Sequence, residues 1–121
     1  IGKQHGTIKG ILWHQGESDA NEKNSPLYPE RLSKLFTKFR LAVGNDNLPI
    51  LLGELGSFSK NKEGFELINK AIRNYSAQDT NTAVILTGDL KHKGDSLHFN
   101  SKAQRTIGKR FAEVYVNKFL R

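Results

Sequence analysis

The chain has no cysteine, no methionine, one tryptophan and three prolines in 121 residues. Without cysteine there is no disulfide framework, no thiolate nucleophile and no zinc site built on sulfur, and the redox compartment stays open. Without methionine at position 1 the chain does not start where translation starts, so a piece of a longer protein or a processed form is expected. No apolar run approaches the about 18 residues of a membrane span, and no charged-then-apolar leader opens the chain, which points away from a membrane partner. Acidic residues are also short, 12 against 19 lysines and arginines, for a formal charge of +7. Such an excess marks an anion-binding face only where the basic residues cluster. Here they are scattered, and the aromatics sit at core spacing, so the charge reads as a solvated basic surface rather than a nucleic-acid site.

What is present suits one folded unit. Apolar residues make up 36% and charged residues 26%, more apolar than chains that stay disordered. The length accommodates one hydrophobic core and not two ordinary domains, so residues 1–121 read as a single domain.

Three apolar runs alternate with three helical stripes. Thr7 to Trp13, TIKGILW, ends apolar and breaks into His14-Gln15-Gly16-Glu17, a strand entering a loop. Tyr28, Leu32, Leu35, Phe36, Phe39 and Ala42 form one helical stripe, with Gly44 as the stop. Pro49 to Leu55, PILLGEL, is apolar throughout, as in a strand covered on both faces. Gly56 to Gly64 reads as a polar loop, and Phe65, Ile68, Ala71, Ile72 and Tyr75 as a second stripe. Thr82 to Thr87 is the third buried strand, and a loop runs on to Asn100. Ser101-Lys102-Ala103-Gln104 fits a capping box, so the last helix starts there, with Ala103, Ile107, Phe111, Val114, Tyr115 and Phe119 on its buried face. This order implies an α/β unit of three layers, α/β/α, on a parallel sheet. Three strands are few for that architecture and leave an open sheet edge, so a missing N-terminal segment or a partner chain is expected to complete the sheet.

Ligands of such sheets sit outside the carboxyl ends of the strands. That rim carries the loops after Trp13, Leu55 and Thr87, and so brings WHQGESD and GDSLH together. In Gly94-Asp95-Ser96-Leu97-His98, Ser96 and His98 are two apart and do not face each other on a strand or a helix. Asp95 and His98 are three apart and can lie side by side in a turn, where the carboxylate fixes the imidazole and the other ring nitrogen faces a nucleophile from elsewhere. The plain alternative is a polar loop with an exposed histidine. A third reading gathers His92, Asp95 and His98 as metal ligands. In the first loop, Gln15 can donate to an oxyanion, Gly16 lets the backbone approach the reacting group, and Glu17 can orient a histidine. Glu17, Ser18 and Asp19 also suit the cap of a short helix.

Together, GILWHQGESD (Gly10 to Asp19) and GDSLHFN (Gly94 to Asn100) resemble the SGNH hydrolases. Within them the likeness is to the sialate O-acetylesterase and acetylxylan esterase group, carbohydrate esterase family six. The resemblance implies a flavodoxin-like fold, an acetylated carbohydrate substrate, and a serine mechanism without metal or cofactor. It assigns His98 as base, Asp95 or Glu17 as its orienting acid, and Gln15 to the oxyanion site, beside the flexible Gly16. The family's nucleophile lies in a Gly-Gln-Ser-Asn motif, which does not occur here. The match therefore corresponds to the C-terminal part of the family's catalytic domain, and the nucleophilic serine is expected outside this chain. Ser18 is an alternative nucleophile, and a non-catalytic glycan-binding or interaction module is the rival to the esterase.

Overall fold

Ile50, Leu51 and Leu52 are each fully buried, although they lie in sequence on alternate faces of one strand. A strand buried on both faces needs a layer on each side, and the chain supplies both. The structure, a computed structural model, describes residues 1–120. After a short helix α1 (Gly2–His5), the elements are β1 (Ile11–Trp13), α2 (Tyr28–Val43), β2 (Ile50–Gly53), α3 (Lys62–Gln78), β3 (Thr82–Ile85) and α4 (Ser101–Phe119). Two single-turn 3-10 helices, Glu17–Asp19 and Ser25–Leu27, lie between β1 and α2. The strands are parallel in the order β1-β2-β3, with Ile11 opposite Ile50 and Ile50 opposite Thr82.

The two faces of β2 open on two cores. Ile50 and Leu52 pack with Leu32 and Phe36 of α2 and with Phe65, Ile68 and Ile72 of α3. Leu51 packs with Ala83 and Ile85 of β3, with Phe99, and with Ala103, Ile107 and Phe111 of α4. The fold is thus three layers, α2 and α3 over one face and α4 over the other, as the alternation of strands and stripes predicts. Each fully buried Leu, Ile or Phe adds about 1.5–3 kcal/mol of transfer free energy, so these two clusters carry the fold. Among the described residues, no helix is long and apolar enough to cross a membrane.

All three strands are shorter than the sequence reading, β2 and β3 ending at Gly53 and Ile85, and at three element starts the cause of the boundary is visible. The first strand starts at Ile11 rather than Thr7. The Ile11 amide donates to the Pro49 carbonyl at 2.9 Å. In a parallel ladder the amide of that same residue would point to β1, and proline has none, so pairing stops there. The second helix of the reading begins inside the expected loop, at Lys62, because the Asn61 side chain caps it by accepting from the Gly64 amide at 3.1 Å. The last helix does start at Ser101, but its cap is Asn100, whose side chain accepts from the Ala103 amide at 2.8 Å. Ser101 is the first helical residue and not the cap. Helix α2 ends as expected at Gly44, which takes φ 78° and donates back to the Arg40 carbonyl at 2.8 Å.

Candidate active site

The carboxyl ends of all three strands feed loops that touch one another. The His14 ring, just past β1, lies 5.5 Å from the Phe99 ring in the loop after β3. Phe58, in the loop after β2, sits edge-on to Phe99 at 5.0 Å and against the His92 ring at 5.2 Å. An aromatic cluster of four rings, one from the loop after β1, one from the loop after β2 and two from the loop after β3, therefore clamps the rim. Polar ties run beneath it: the Glu54 carbonyl accepts from Thr87 Oγ1 at 3.0 Å and faces His14 Nε2 at 3.1 Å. A carbonyl only accepts, so His14 carries its proton on Nε2. From α3, Asn69 brackets Leu55, donating to its carbonyl at 3.0 Å and accepting from its amide at 2.7 Å.

Residues 91–100 form a small hairpin. The Lys93 amide donates to the His98 carbonyl at 2.9 Å and the Asn100 amide to the Lys91 carbonyl at 3.0 Å, with His92 bridged to Phe99. Its tip is pinned by Asp95, whose Oδ1 accepts from the Leu97 and His98 amides at 2.9 and 2.8 Å. Asp95 Oδ2 lies 2.6 Å from His98 Nδ1. The His98 backbone amide, the His98 ring and the Leu97 amide, in that order, hold the Asp95 carboxyl well below the usual carboxylate range. An ionised carboxylate can only accept, so Nδ1 of His98 carries a proton, and in the neutral ring Nε2 keeps a free lone pair. The His98 side chain is 60% exposed, and that lone pair has an open approach. Ser96 lies at φ 58° and donates its amide to His92 Nδ1 at 3.1 Å, while the His98 ring faces Asp95.

The loop after β1 is held from both sides. The buried Tyr28 hydroxyl donates to the Gln15 carbonyl at 2.9 Å and receives the Trp13 indole N–H at 3.4 Å. Burial pushes the Tyr28 hydroxyl up to about 12, with Asp19 and Glu17 adding to it and the Trp13 bond opposing. Gly16 takes φ 150°, and a Cβ there would fall 2.6 Å from Ile68 Cγ2, so only glycine fits this bend. Gln15 Nε2 donates to Asp19 Oδ2 at 2.8 Å, which aims the amide nitrogen and leaves its second N–H unused by that bond. Glu17 Oε2 accepts from the Gly16 amide at 3.1 Å. Of the two acids in competition, Asp95 touches His98, and Glu17 is turned into its own loop.

Among the described residues, no three histidine or carboxylate side chains converge as metal ligands. His92 Nδ1 is taken up by the amides of Gly94 and Ser96, so the grouping of His92 with Asp95 and His98 as ligands fails on geometry. His14, Phe58, Phe99 and Tyr28 were not legible as site residues. Their contribution is to join loops far apart in the chain, and local spacing carries no signal for that.

A family model described as carbohydrate esterase, sialic acid-specific acetylesterase, matches residues 1–117. The chain belongs to that family. Among curated proteins, the chain is similar to a probable carbohydrate esterase of Arabidopsis thaliana, 28% identical over 116 residues, covering 94% of this chain and 42% of the relative. Among solved structures it is similar to a protein from Arabidopsis thaliana, with TM-score 0.84 and 26% identity over 97% of this chain and 48% of that one. A carbohydrate acetylesterase from Xanthomonas citri has the same fold, with TM-score 0.78 and 22% identity over 91% of this chain and 26% of that one. The chain thus spans less than half the length of each of these relatives.

Proposed function

We propose that this chain carries the base and the oxyanion loop of a carbohydrate O-acetyl esterase of the sialate or acetylxylan type, and that its nucleophilic serine comes from outside residues 1–121. The observation that carries the reading is the 2.6 Å contact of His98 Nδ1 with Asp95 Oδ2, with Nε2 left open at the rim. In the proposed reaction the serine hydroxyl attacks the acetyl carbonyl while His98 Nε2 takes its proton. The C–O bond to the sugar breaks, and His98 returns that proton to the departing sugar oxygen. Water then attacks the acetyl-serine, with His98 again taking and returning a proton, so acetate leaves and the serine is restored. Asp95 holds the imidazole and offsets its charge. The free N–H of Gln15 stabilises the oxyanion, and Gly16 gives the loop its bend.

The nucleophile's strand is proposed to add to the free edge of β1, as a strand of this chain's parent protein or of a partner chain. β1 pairs only with β2 in the described sheet. Beside it, Leu12 is 62% exposed and, with Phe111, Tyr115 and Val116 of α4, lines an apolar groove of about 350 Å³. A strand parallel to β1 would end at the rim that carries Gln15 and His98.

The test is acetate release from acetylated sialic acid and acetylated xylan oligosaccharides by the longer protein containing this chain. His98→Ala should lower kcat by about 10³-fold or more, and Asp95→Asn by a similar factor, whereas Glu17→Gln should stay within about tenfold. Full activity in His98→Ala would overturn the assignment.

A further inference from the structure

The GDSLH hairpin contains a second histidine that the reaction does not use. His92 is half-buried against Phe58, six residues before His98, and its Nδ1 faces two backbone amides, Gly94 at 2.9 Å and Ser96 at 3.1 Å. Two N–H groups aimed at one ring nitrogen require that nitrogen to be unprotonated, so the neutral ring carries its proton on Nε2. This is the opposite tautomer to that of His98. The two amides flank Asp95 in sequence. The turn they close contains the two left-handed residues of the hairpin, Gly94 at φ 119° and Ser96 at φ 58°. A non-glycine residue in that region is uncommon and is strained unless its surroundings hold it there.

We infer that His92 is a positioning residue for the acid and base pair: its Nδ1 lone pair, accepting from Gly94 and Ser96, wraps the hairpin so that the Asp95 carboxylate meets His98 Nδ1. The inference rests on the esterase reading for its effect on rate, but its structural half stands without it. Asp95 fixes the tip by accepting from residues 97 and 98. Nothing within that set fixes the direction in which Asp95 leaves residue 94, and the bonds to His92 do so from the near side. Phe58 in turn holds the His92 ring, which couples the wrap to the loop after β2. The exposed Cβ position at Gly94 meets nothing within 4 Å, so no packing there does the same work.

The chemistry of the acceptor gives a discriminating set of variants. An asparagine at position 92 sets its Oδ1 near the site of the imidazole Nδ1, whereas glutamine extends its amide toward the site of Nε2. In the longer active protein, His92→Asn should keep kcat within about threefold of the parent, and His92→Gln and His92→Ala should lower kcat by about 100-fold with KM little changed, as a misplaced base does. On the 121-residue chain, long-range proton-nitrogen NMR should show Nδ1 of His92 unprotonated and Nδ1 of His98 protonated. The Gly94 and Ser96 amides should be slow to exchange in the parent and His92→Asn chains, and fast in His92→Gln. The inference is overturned by a protonated Nδ1 on His92, by fast Gly94 and Ser96 amides in the parent chain, or by His92→Asn as impaired as His92→Gln. If no form of the protein hydrolyses an acetyl ester, the esterase reading fails while the NMR result still decides the role of His92.

Discussion

At the scale of single residues, the site is a matter of which atom holds a proton. His14 keeps it on Nε2 against the Glu54 carbonyl and His98 keeps it on Nδ1 against Asp95, so the two rings hold opposite tautomers and the neutral His98 ring turns its Nε2 lone pair to the exposed rim. The sequence allowed Asp95 and Glu17 as rivals for this histidine. Spacing along the chain favours Asp95 only weakly; the deciding fact is that the Glu17 carboxylate folds back on the Gly16 amide. Tyr28 gives an independent check of the loop beside it. Its folded hydroxyl is pushed up to about 12 from 10.0 by burial, so the fold favours the neutral phenol. That contribution is fully present below the unfolded value, about 10, and is lost as pH rises from there toward the folded value. Burial also raises Tyr75, so a spectrophotometric titration of the three tyrosines should show two late phenols, of which the one at about 12 disappears in Tyr28→Phe. The same substitution leaves the Gln15 carbonyl without its donor and should cost about 1–2 kcal/mol in urea unfolding. A phenol at about 12 that survives the substitution would mean that another tyrosine is the most deeply held one.

At the scale of elements, apolar periodicity was a sound guide to which segments are helix or strand, and a poorer guide to where they end. The stripe Tyr28, Leu32 and Phe36 is buried as read, because a one-faced helix on a sheet has no other way to shed its apolar side chains. Ends are set by hydrogen bonds that composition does not display: the missing N–H of Pro49 shortens β1, and Asn100 rather than Ser101 caps α4. Asn100 has the extended ψ of 169° usual at an N-cap, and its own amide is bound into the hairpin through Lys91. It therefore links the hairpin of residues 91–100 to α4, and Asn100→Ala should lower stability by about 1 kcal/mol. Asparagine-to-serine at the same position should recover most of that loss. Gly16 is the sharper case. At φ 150° and with Ile68 Cγ2 in the way of a Cβ, Gly16→Ala should cost about 3 kcal/mol and loosen the Gln15 loop. A thermal midpoint unchanged by Gly16→Ala would show that the loop is free to take another path.

At the scale of the molecule, the rule that functional loops gather at the carboxyl rim of a parallel sheet places HQGE and GDSLH together from the sequence alone, and the His14 and Phe99 contact is where they meet. What the rule could not supply was the cement. Phe58 lies in a stretch of polar residues that reads as plain loop, yet it packs on both Phe99 and His92. Its partners are more than thirty residues away, and no local pattern encodes such a contact. The open edge of β1 and the apolar groove beside it belong to the same scale, since they concern what the sheet would accept and not what it contains. The account's central claim is that this polypeptide brings a base and an oxyanion donor to a serine it does not own. The most direct measurement is aryl acetate hydrolysis by the 121-residue chain alone and by the same chain joined to the preceding portion of its parent protein. The account predicts no turnover above buffer from the chain alone, and His98-dependent turnover from the joined form. Turnover by the chain alone that vanishes in Ser18→Ala or Ser96→Ala would contradict it.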